Sequence, residues 1–363
     1  MKSRTKSERP APRVSARAIS ATTGRSRGSK VPPSVPPIVL LGAQRFDPTL
    51  SAAAASVGIE GKIATITAGW QERESDDAEL HEHLQKNTVN LKLYERADRV
   101  WKADSELREA HRARQERMRL KQDFYRIRLE HELDAAHVIE QRKAPADILD
   151  EERAASVQAI RDLDAFHLAT CVREKEAWTE RCKPLERDAV KRERDEIIGL
   201  LEGTAAVAIA GGHVATLLNR LELFGMDELL RGRPLLAWSA GAMAISDRVV
   251  LFHDSPPQGP GAAEILDRGM GLVSDIVPLP APEQRLRLDD PERVARLARR
   301  FSPALSIALP SCAHITWNGL AFVRAYKIQR LRDDGSVERL GWPDSGATES
   351  TEMSAEDITE TVG

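Results

Sequence analysis

The residues best suited to chemistry form one short segment, Ala237-Trp238-Ser239-Ala240-Gly241. The apolar run Pro234-Leu235-Leu236 comes just before it and predicts a buried strand that ends at the serine. Small neighbours allow the backbone to turn sharply from this strand into a helix, with the Ser239 hydroxyl exposed at the turn. The amide of Ala240 is then free at a helix start, where it can stabilise a developing oxyanion. The pattern predicts a nucleophile elbow, although ordinary strand-to-helix packing gives the same pattern.

A glycine pair is expected to lie beside this serine. The run Ala205-Ala206-Val207-Ala208-Ile209 predicts another strand, and it leads into Gly211, Gly212 and His213 at the start of a helix. Because the carboxyl ends of neighbouring parallel strands meet in one crevice, these glycine amides are expected near Ser239. The sequence therefore predicts an oxyanion pocket made of both glycines, His213 and the amide after the serine.

Three segments carry a family resemblance: Ile209-Ala210-Gly211-Gly212-His213, Trp238-Ser239-Ala240-Gly241-Ala242 and His253-Asp254-Ser255-Pro256. With these segments the chain resembles the dipeptidase E and cyanophycinase group of serine peptidases, which share the fold of class I glutamine amidotransferases. The resemblance covers about residues 38–70 and 203–340. It implies that Ser239 is the nucleophile and that Asp254, fifteen residues later, is the acid of a catalytic triad.

The resemblance also implies an activity, the hydrolysis of a peptide or isopeptide bond next to an acidic residue, without a cofactor. One part of the family pattern is missing. The family's histidine comes after the next strand and before an Arg-rich helix, where this chain has Ala281 or Pro282. No histidine occurs between His253 and His314. Without a nearby base a serine hydroxyl is a poor nucleophile at neutral pH, and loss of one triad member costs several orders of magnitude.

Several replacements for the missing base stay open. His253 adjoins the expected acid, His213 starts a helix beside the expected oxyanion loop, and His314 precedes a predicted strand. Glu283 could act as a base if desolvation raised its pKa. The last possibility is that nothing replaces the histidine, so that the chain keeps the pocket of the family and lacks its catalysis.

Two functions therefore remain open at this point. The first is a serine peptidase acting on a small peptide-like substrate, and the second is a non-catalytic binding or assembly protein. No metal site is expected. His81 and His83 are two residues apart, and on a helix this spacing places their rings on different faces, where they cannot bind the same ion. The sequence also has no phosphate-binding loop and no dinucleotide fingerprint, so no cofactor is expected.

The placement of glycine divides the chain into two kinds of sequence. No glycine occurs between Gly69 and Gly199, and the segment is highly charged, which predicts a helical arm over residues 75–200. The arm is expected to bend at Lys143-Ala144-Pro145-Ala146-Asp147 and to act as a rigid spacer or a homo-oligomer contact. A face to be buried is predicted from the apolar residues at helical spacing, which are Leu120, Phe124, Ile127 and Leu133.

The remaining sequence alternates short apolar runs with helical segments, as α/β proteins do. Short apolar runs in residues 38–74 and 201–343 predict a mostly parallel sheet flanked by helices, as in class I glutamine amidotransferases. Near the C-terminus, Asn318-Gly319 and Asp334-Gly335 predict antiparallel hairpins. The arm is thus expected to be an insertion after the second strand of this core.

Both ends of the chain have a biased composition. Residues 1–37 are basic with Glu8 as the only acid, and residues 344–363 carry only acidic charges, so both are expected to be disordered tails. A nucleic-acid contact by the basic tail is not expected. The chain has three cysteines, an odd number without the spacing of a metal site, which favours a reducing compartment. A cytoplasmic location is therefore expected. No apolar stretch is long enough to span a membrane.

Overall fold

The structure, a computed structural model, describes residues 35–253, 261–319 and 321–341. Residues 1–34 of the basic tail and the whole acidic tail lie outside the described residues, as does Asp254. Everything described below belongs to one unit that begins at Val35. Within these residues, no helix combines the length and the apolar content needed to cross a membrane.

The strands are, in chain order, β1 (Ile38–Leu41), β2 (Ile63–Ile66), β3 (Thr88–Asn90), β4 (Ala206–Ile209), β5 (Leu235–Trp238), β6 (Arg248–Leu251), β7 (Glu264–Arg268), β8 (Ile276–Pro280), β9 (Leu305–Leu309), β10 (His314–Trp317), β11 (Phe322–Tyr326), β12 (Ile328–Leu331) and β13 (Val337–Leu340). The helices are α1 (Leu50–Ser56), α2 (Ala78–His83), α3 (Leu93–Ala103), α4 (Ser105–Glu140), α5 (Ala146–Cys182), α6 (Asp188–Glu202), α7 (Val214–Leu223), α8 (Met226–Leu230), α9 (Ala240–Ile245), α10 (Pro282–Arg285) and α11 (Pro291–Phe301). Two 3₁₀ turns, Ala68–Arg73 and Pro184–Glu186, complete the set.

A seven-stranded sheet forms the centre of the molecule, in the order β11-β10-β1-β5-β4-β2-β3. The five strands from β1 to β3 in this order are parallel, and β10 and β11 run antiparallel at the other edge. The four predicted strands β1, β2, β4 and β5 are buried along their whole length, which is why they consist of nearly continuous apolar residues. The predicted fold class, a mostly parallel α/β sheet flanked by helices, is confirmed.

Antiparallel pairing predominates toward the C-terminus, as the two turn sequences predict. A second sheet has the order β13-β12-β9-β8, with β8 and β9 parallel and the other neighbours antiparallel. The turn at Asn318-Gly319 joins β10 to β11, and Asp334-Gly335 lies between β12 and β13. Strands β6 and β7 form a separate antiparallel pair.

The long helices α4 and α5 form the predicted helical hairpin. The chain reverses between Glu140 and Ala146, at the segment where the bend is expected. The hairpin lies against its own α/β core: Gln122 of α4 donates to the carbonyl of Ile265 in β7 at 3.1 Å, and Arg161 of α5 donates to the carbonyl of Arg299 in α11 at 3.0 Å. Its inner face is therefore covered by the same chain.

The range 75–200, predicted to be helical throughout, also contains a strand. β3 (Thr88–Asn90) pairs in parallel with β2 at the edge of the central sheet. The prediction rested on the lack of glycine, but the turns around β3 use other residues at positive φ. Gln85, Lys86 and Lys92 have φ of 59°, 60° and 53°. These left-handed residues supply the reversals for which glycine is usually required.

The apolar face predicted on α4 is the wrong one. Leu120, Phe124 and Ile127 are 45%, 68% and 53% exposed, and only Leu133 of the predicted set packs partly against the core. The face that α4 buries contains several polar residues and is made of Leu107, Arg114, Gln122, Tyr125, Leu129 and Ala136. Polar side chains can occupy such a face because each finds a partner from a distant part of the chain.

Candidate active site

Ser239 lies at a sharp turn between β5 and α9, as the elbow pattern predicts. Its backbone has φ 51° and ψ −122°, a conformation that residues with a side chain rarely adopt. The turn is fixed on both sides, since the Ser239 amide donates to the carbonyl of Leu41 at 3.3 Å and its carbonyl accepts from Met243 at 3.2 Å. Gly241 must be small, because a β-carbon there would lie 2.3 Å from the carbonyl oxygen of Ile209.

The glycine pair after β4 packs directly on this serine. A β-carbon on Gly211 would lie 2.7 Å from Ser239 Cβ, 3.5 Å from its Oγ and 3.4 Å from the Ala240 nitrogen. Gly212 has φ 107°, and a β-carbon there would lie 2.4 Å from the carbonyl oxygen of Gly69. Bare backbone is therefore required at both positions, so the Gly211-Gly212 loop and the turn at Ser239 approach each other closely.

Ala240 is the first residue of α9, so its amide precedes the intrahelical hydrogen bonds. Because Gly211 lies against both Ser239 Oγ and this amide, hydroxyl and amide share one small region of backbone. His213 is beside this region in sequence, but its ring is hydrogen-bonded elsewhere. Its Nδ1 accepts from the Thr216 amide at 3.1 Å and thereby caps the start of α7, with the residue exposed to solvent.

A cavity of about 380 Å³ opens at the carboxyl ends of β1, β2, β4 and β5, and Ser239 is part of its wall. This is the edge at which parallel α/β sheets bind their ligands. Neutral parts of the wall come from Gly69, Trp70, Gly211, Gly212 and Trp238. Charged or ionisable side chains of the wall are Arg45, Arg73, Asp76, Glu79 and His83.

The ionisable groups of the cavity wall are partly paired with one another. Arg73 Nε lies 3.2 Å from Asp76 Oδ2, and His83 Nε2 lies 3.8 Å from Glu79 Oε1. Among the described residues, Arg45 has no carboxylate partner, and its guanidinium lies 5.5 Å from the ring centre of Phe46. The cavity thus holds one arginine free to meet an anion and one imidazole next to a carboxylate.

None of the four residues predicted as replacement bases lines this cavity. His253 follows β6 and is half-buried, and its Nδ1 has no hydrogen-bond partner among the described residues. Its neighbour Asp254, the expected acid, lies outside the described residues. His314 belongs to β10 and stacks on Tyr326, while Glu283 is an exposed residue of α10.

The place of the missing family histidine is a turn after β8. Ala281 has φ 55° and ψ 53° and immediately precedes the short helix α10. Its amide donates to the carbonyl of Leu309 at 3.2 Å, so this turn is tied to β9. No titratable group takes the histidine's place at position 281 itself.

The charged wall of the cavity was not found from the sequence. Arg45 follows β1, Arg73 ends the 3₁₀ turn after β2, and Glu79 and His83 belong to α2. A signal was present, because each of these residues lies in the segment that leaves the carboxyl end of a parallel strand. In the sequence, His83 stands out only beside His81, as one of two residues of a metal site that their spacing does not favour, and nothing there connects it with Ser239.

A possible metal-binding group lies away from this cavity. Among the described residues, His137, Glu140 and Glu292 are the one group of three ligand-type side chains with their ligand atoms within 4.8 Å of one another. Glu140 already forms an ion pair with Arg296 at 2.5 Å, which leaves less negative charge for a cation. None of these residues lines the cavity at Ser239.

The chain was compared with models of protein families, with curated proteins and with solved structures. A scan against models of protein families found no match, and a search of curated proteins found none either. One solved structure that is similar to this chain is the crystal structure of a peptidase from an acI-B1 Actinobacterium, with 13% identity and a TM-score of 0.42. The similarity covers 88% of this chain and 97% of that one. It is too distant to carry an argument about function.

Proposed function

We propose that the protein is a serine hydrolase of the peptidase type, with Ser239 as its nucleophile. The observation that carries the proposal is the backbone of Ser239, with φ 51° and ψ −122° at a strand-to-helix turn. Such a strained residue costs of order 1–3 kcal/mol and persists where the surrounding structure enforces it, most often at active sites. Ser239 also lines the cavity, which supports a role for this strained residue in catalysis.

The amides of Gly212 and Ala240 are the proposed oxyanion donors. Ala240 supports this role because its amide is free of intrahelical bonds, and Gly211 because it brings the glycine loop against Ser239 Oγ. Donors of this kind stabilise the negative charge that develops on the carbonyl oxygen during attack by the serine. Asp254 remains the proposed acid on the strength of its place in the sequence pattern.

The proposed substrate is a small peptide with an acidic residue next to the bond that is cleaved. Support comes from Arg45, which lines the cavity and has no carboxylate partner among the described residues. A guanidinium presents donors in a planar fork that matches a carboxylate. Arg73 lies in the same wall but is already paired with Asp76, so Arg45 is the better anchor for an incoming anion.

The test compares the hydrolysis of peptides that differ only in having Asp or Asn next to the bond to be cleaved. The comparison is made once with an α-peptide bond and once with an isopeptide bond. We expect the full-length protein to cleave aspartyl peptides and Ser239→Ala to cleave none. Arg45→Gln should lower kcat/KM for the aspartyl peptide about tenfold. It should leave kcat/KM for the asparaginyl peptide unchanged, because only the aspartyl peptide has a carboxylate that can pair with Arg45. Arg142→Gln, an exposed arginine at the hairpin bend, is the matched control. Hydrolysis that survives in Ser239→Ala would contradict the proposal.

A second function, assembly through the hairpin, is favoured by one observation. Leu120, Phe124 and Ile127 are exposed at spacings of four and three residues, which places them in one stripe along α4. Phe166 of α5 is 57% exposed and packs under Arg128 of α4, so the stripe continues onto the second helix. A second copy of this chain is the proposed occupant, because the inner face of the hairpin already packs on its own core.

Sedimentation over a range of protein concentrations tests this second function. We expect a monomer–dimer equilibrium that Phe124→Ser together with Ile127→Ser weakens at least about tenfold, since two large apolar side chains leave the contact. Phe46→Ser, an exposed apolar residue outside the hairpin, serves as the control. A wild-type protein that stays monomeric at every concentration would exclude assembly through the hairpin.

A further inference from the structure

Activation of Ser239 requires a base, and histidine is the side chain that most often fills this role at neutral pH. The chain has nine histidines, and all nine lie in the described part of the structure. His83 is the one of them that lines the same cavity as Ser239. The histidine that shares a cavity with Ser239 therefore belongs to α2, far from the serine in sequence.

The other histidines are occupied or belong to other regions. Four of them, His111, His131, His137 and His167, are in the hairpin helices. His81 hydrogen-bonds Thr88 through its Nδ1 at 2.6 Å. The remaining three, His213, His253 and His314, are absent from the cavity wall as described above.

His83 is held at the cavity wall by both its backbone and its side chain. It is the last residue of α2, and its carbonyl accepts a hydrogen bond from the Ser51 hydroxyl in α1, which ties the end of α2 to α1. The imidazole is 22% exposed and lies 3.8 Å, Nε2 to Oε1, from Glu79 one helical turn earlier. Glu79 lines the cavity as well. A carboxylate next to an imidazole is the arrangement that orients a general base in serine hydrolases.

We infer that His83 is the general base for Ser239 and that Glu79 orients its ring. The inference rests on the proposed hydrolase function. It assigns the base to none of the four residues left open by the sequence, and it puts Glu79 in place of Asp254 as the carboxylate that orients the base. The Glu79 carboxylate, 3.8 Å from Nε2, favours the tautomer with its proton on Nε2 and so leaves Nδ1 as the acceptor for the serine proton, directly or through one water. Activated by a side chain from α2, this site does not need the histidine that is missing at Ala281.

The proposed steps conserve protons and bonds. As Ser239 Oγ forms a bond to the carbonyl carbon, its proton passes to His83, and the imidazolium then gives that proton to the leaving amine as the C–N bond breaks. Water next attacks the acyl-serine ester and transfers a proton to His83. The acyl–oxygen bond breaks, and the proton returns to Ser239 Oγ, which regenerates the starting enzyme.

The test is the rate at which a fluorophosphonate probe labels Ser239 in the full-length protein between pH 5 and pH 9. This reaction forms one O–P bond, releases fluoride and requires the same transfer of the serine proton. We expect the wild-type rate to rise with pH within this range, because only the unprotonated form of a base can accept the serine proton. His83→Gln should lower the rate at least about 100-fold and abolish this pH step. Added imidazole should restore part of the rate in His83→Ala.

Matched variants separate catalysis from folding. His81→Gln changes a histidine of the same helix that is absent from the cavity wall, and we expect its rate and pH profile to match the wild type. Glu79→Gln should slow labelling less than His83→Gln does. If His83→Gln fails to fold, the wild-type pH profile still decides the matter, since a rate independent of pH from 5 to 8 overturns the inference.

The outcomes also separate this inference from the proposed function. Labelling of Ser239 at the wild-type rate and with the wild-type pH profile in folded His83→Gln overturns the inference and leaves the hydrolase proposal standing. Absence of labelling in the wild type, at the level of Ser239→Ala, overturns the hydrolase proposal and the inference with it.

Discussion

The turn at Ser239 and the interface between the hairpin and the core are both tightly determined, but by opposite means. At the turn, glycines and alanine bring backbone segments into contact and force the serine into a strained conformation beside an open cavity. At the hairpin interface, buried polar side chains from different helices pair with one another. The structure thus keeps a strained backbone at the turn and paired buried polar groups at the hairpin interface.

A buried network around Arg300 shows the second strategy. Arg300 of α11 donates to Asp164 of α5 through Nε and Nη2, at 2.6 and 2.7 Å, and to the carbonyl of Ala263 at 2.6 Å. Tyr125 of α4 donates to the same carboxylate at 2.7 Å. Burial raises the pKa of the Tyr125 phenol, so the phenol remains a neutral donor. Each member is satisfied by a residue from another helix, which locks the hairpin to the core.

The largest effect on stability is expected when this network is broken. Asp164→Asn leaves the buried guanidinium of Arg300 without its counter-charge, and we expect a loss of about 3–5 kcal/mol in the free energy of unfolding. Asp150→Asn, an exposed aspartate on the same helix, should cost less than about 0.5 kcal/mol. Denaturant titration measures both. Equal, small losses in the two variants would show that the network contributes little.

The next largest effect is expected at the turn, on activity. Gly211→Ala introduces a methyl group 2.7 Å from Ser239 Cβ, which must displace the Gly211-Gly212 loop. We expect fluorophosphonate labelling to slow about 100-fold, the loss typical when one oxyanion donor is removed. Gly199→Ala is the control, because a β-carbon there has no atom within 4 Å. Unchanged labelling in Gly211→Ala would mean that this loop takes no part in catalysis.

A smaller effect is expected from His111 of the hairpin, through pH. Burial, with help from Arg220 and Arg114, lowers the pKa of His111 to about 4. In the unfolded chain the imidazole takes up a proton near pH 6.5, whereas the folded protein does not, so stability falls as the pH falls. Between pH 7 and pH 5 this amounts to about 2 kcal/mol. His111→Phe should lack that part of the acid sensitivity in thermal unfolding, and an identical pH dependence would refute the assignment.

The smallest effect is expected from the strain at Ser239 itself. Glycine tolerates positive φ, so Ser239→Gly should be more stable than Ser239→Ala by about 1 kcal/mol. The pair isolates the backbone term because both variants lack the hydroxyl. Comparison of their unfolding midpoints checks this, and equal midpoints would mean that the turn is not strained.

Much of the fold could be predicted because its signals are local. The apolar runs of β1, β2, β4 and β5, the two long helices and the small residues around Ser239 each follow from a few neighbouring positions. The same reasoning failed at β3, whose turns use Gln85, Lys86 and Lys92 instead of glycine. Local pattern is sufficient where propensity and tertiary structure agree.

Long-range pairing explains the other failures. The buried face of α4 includes Arg114, which pairs with Glu222 at 3.1 Å, so hydrophobicity alone pointed to the exposed stripe instead. The approach of His83 to the cavity of Ser239 depends on how α2 packs beside α1, and this is not encoded in any short segment. Charged cavity residues and buried ion pairs both require knowledge of which distant elements meet.

The most direct test of the central claim, that Ser239 is an activated nucleophile, is the site of covalent modification by a fluorophosphonate. Intact mass and peptide mapping of the folded protein should show one adduct, located on Ser239. Ser239→Ala should show none at the same unfolding midpoint. A folded wild-type protein that remains unmodified, or that carries its adduct on another serine, would contradict the claim.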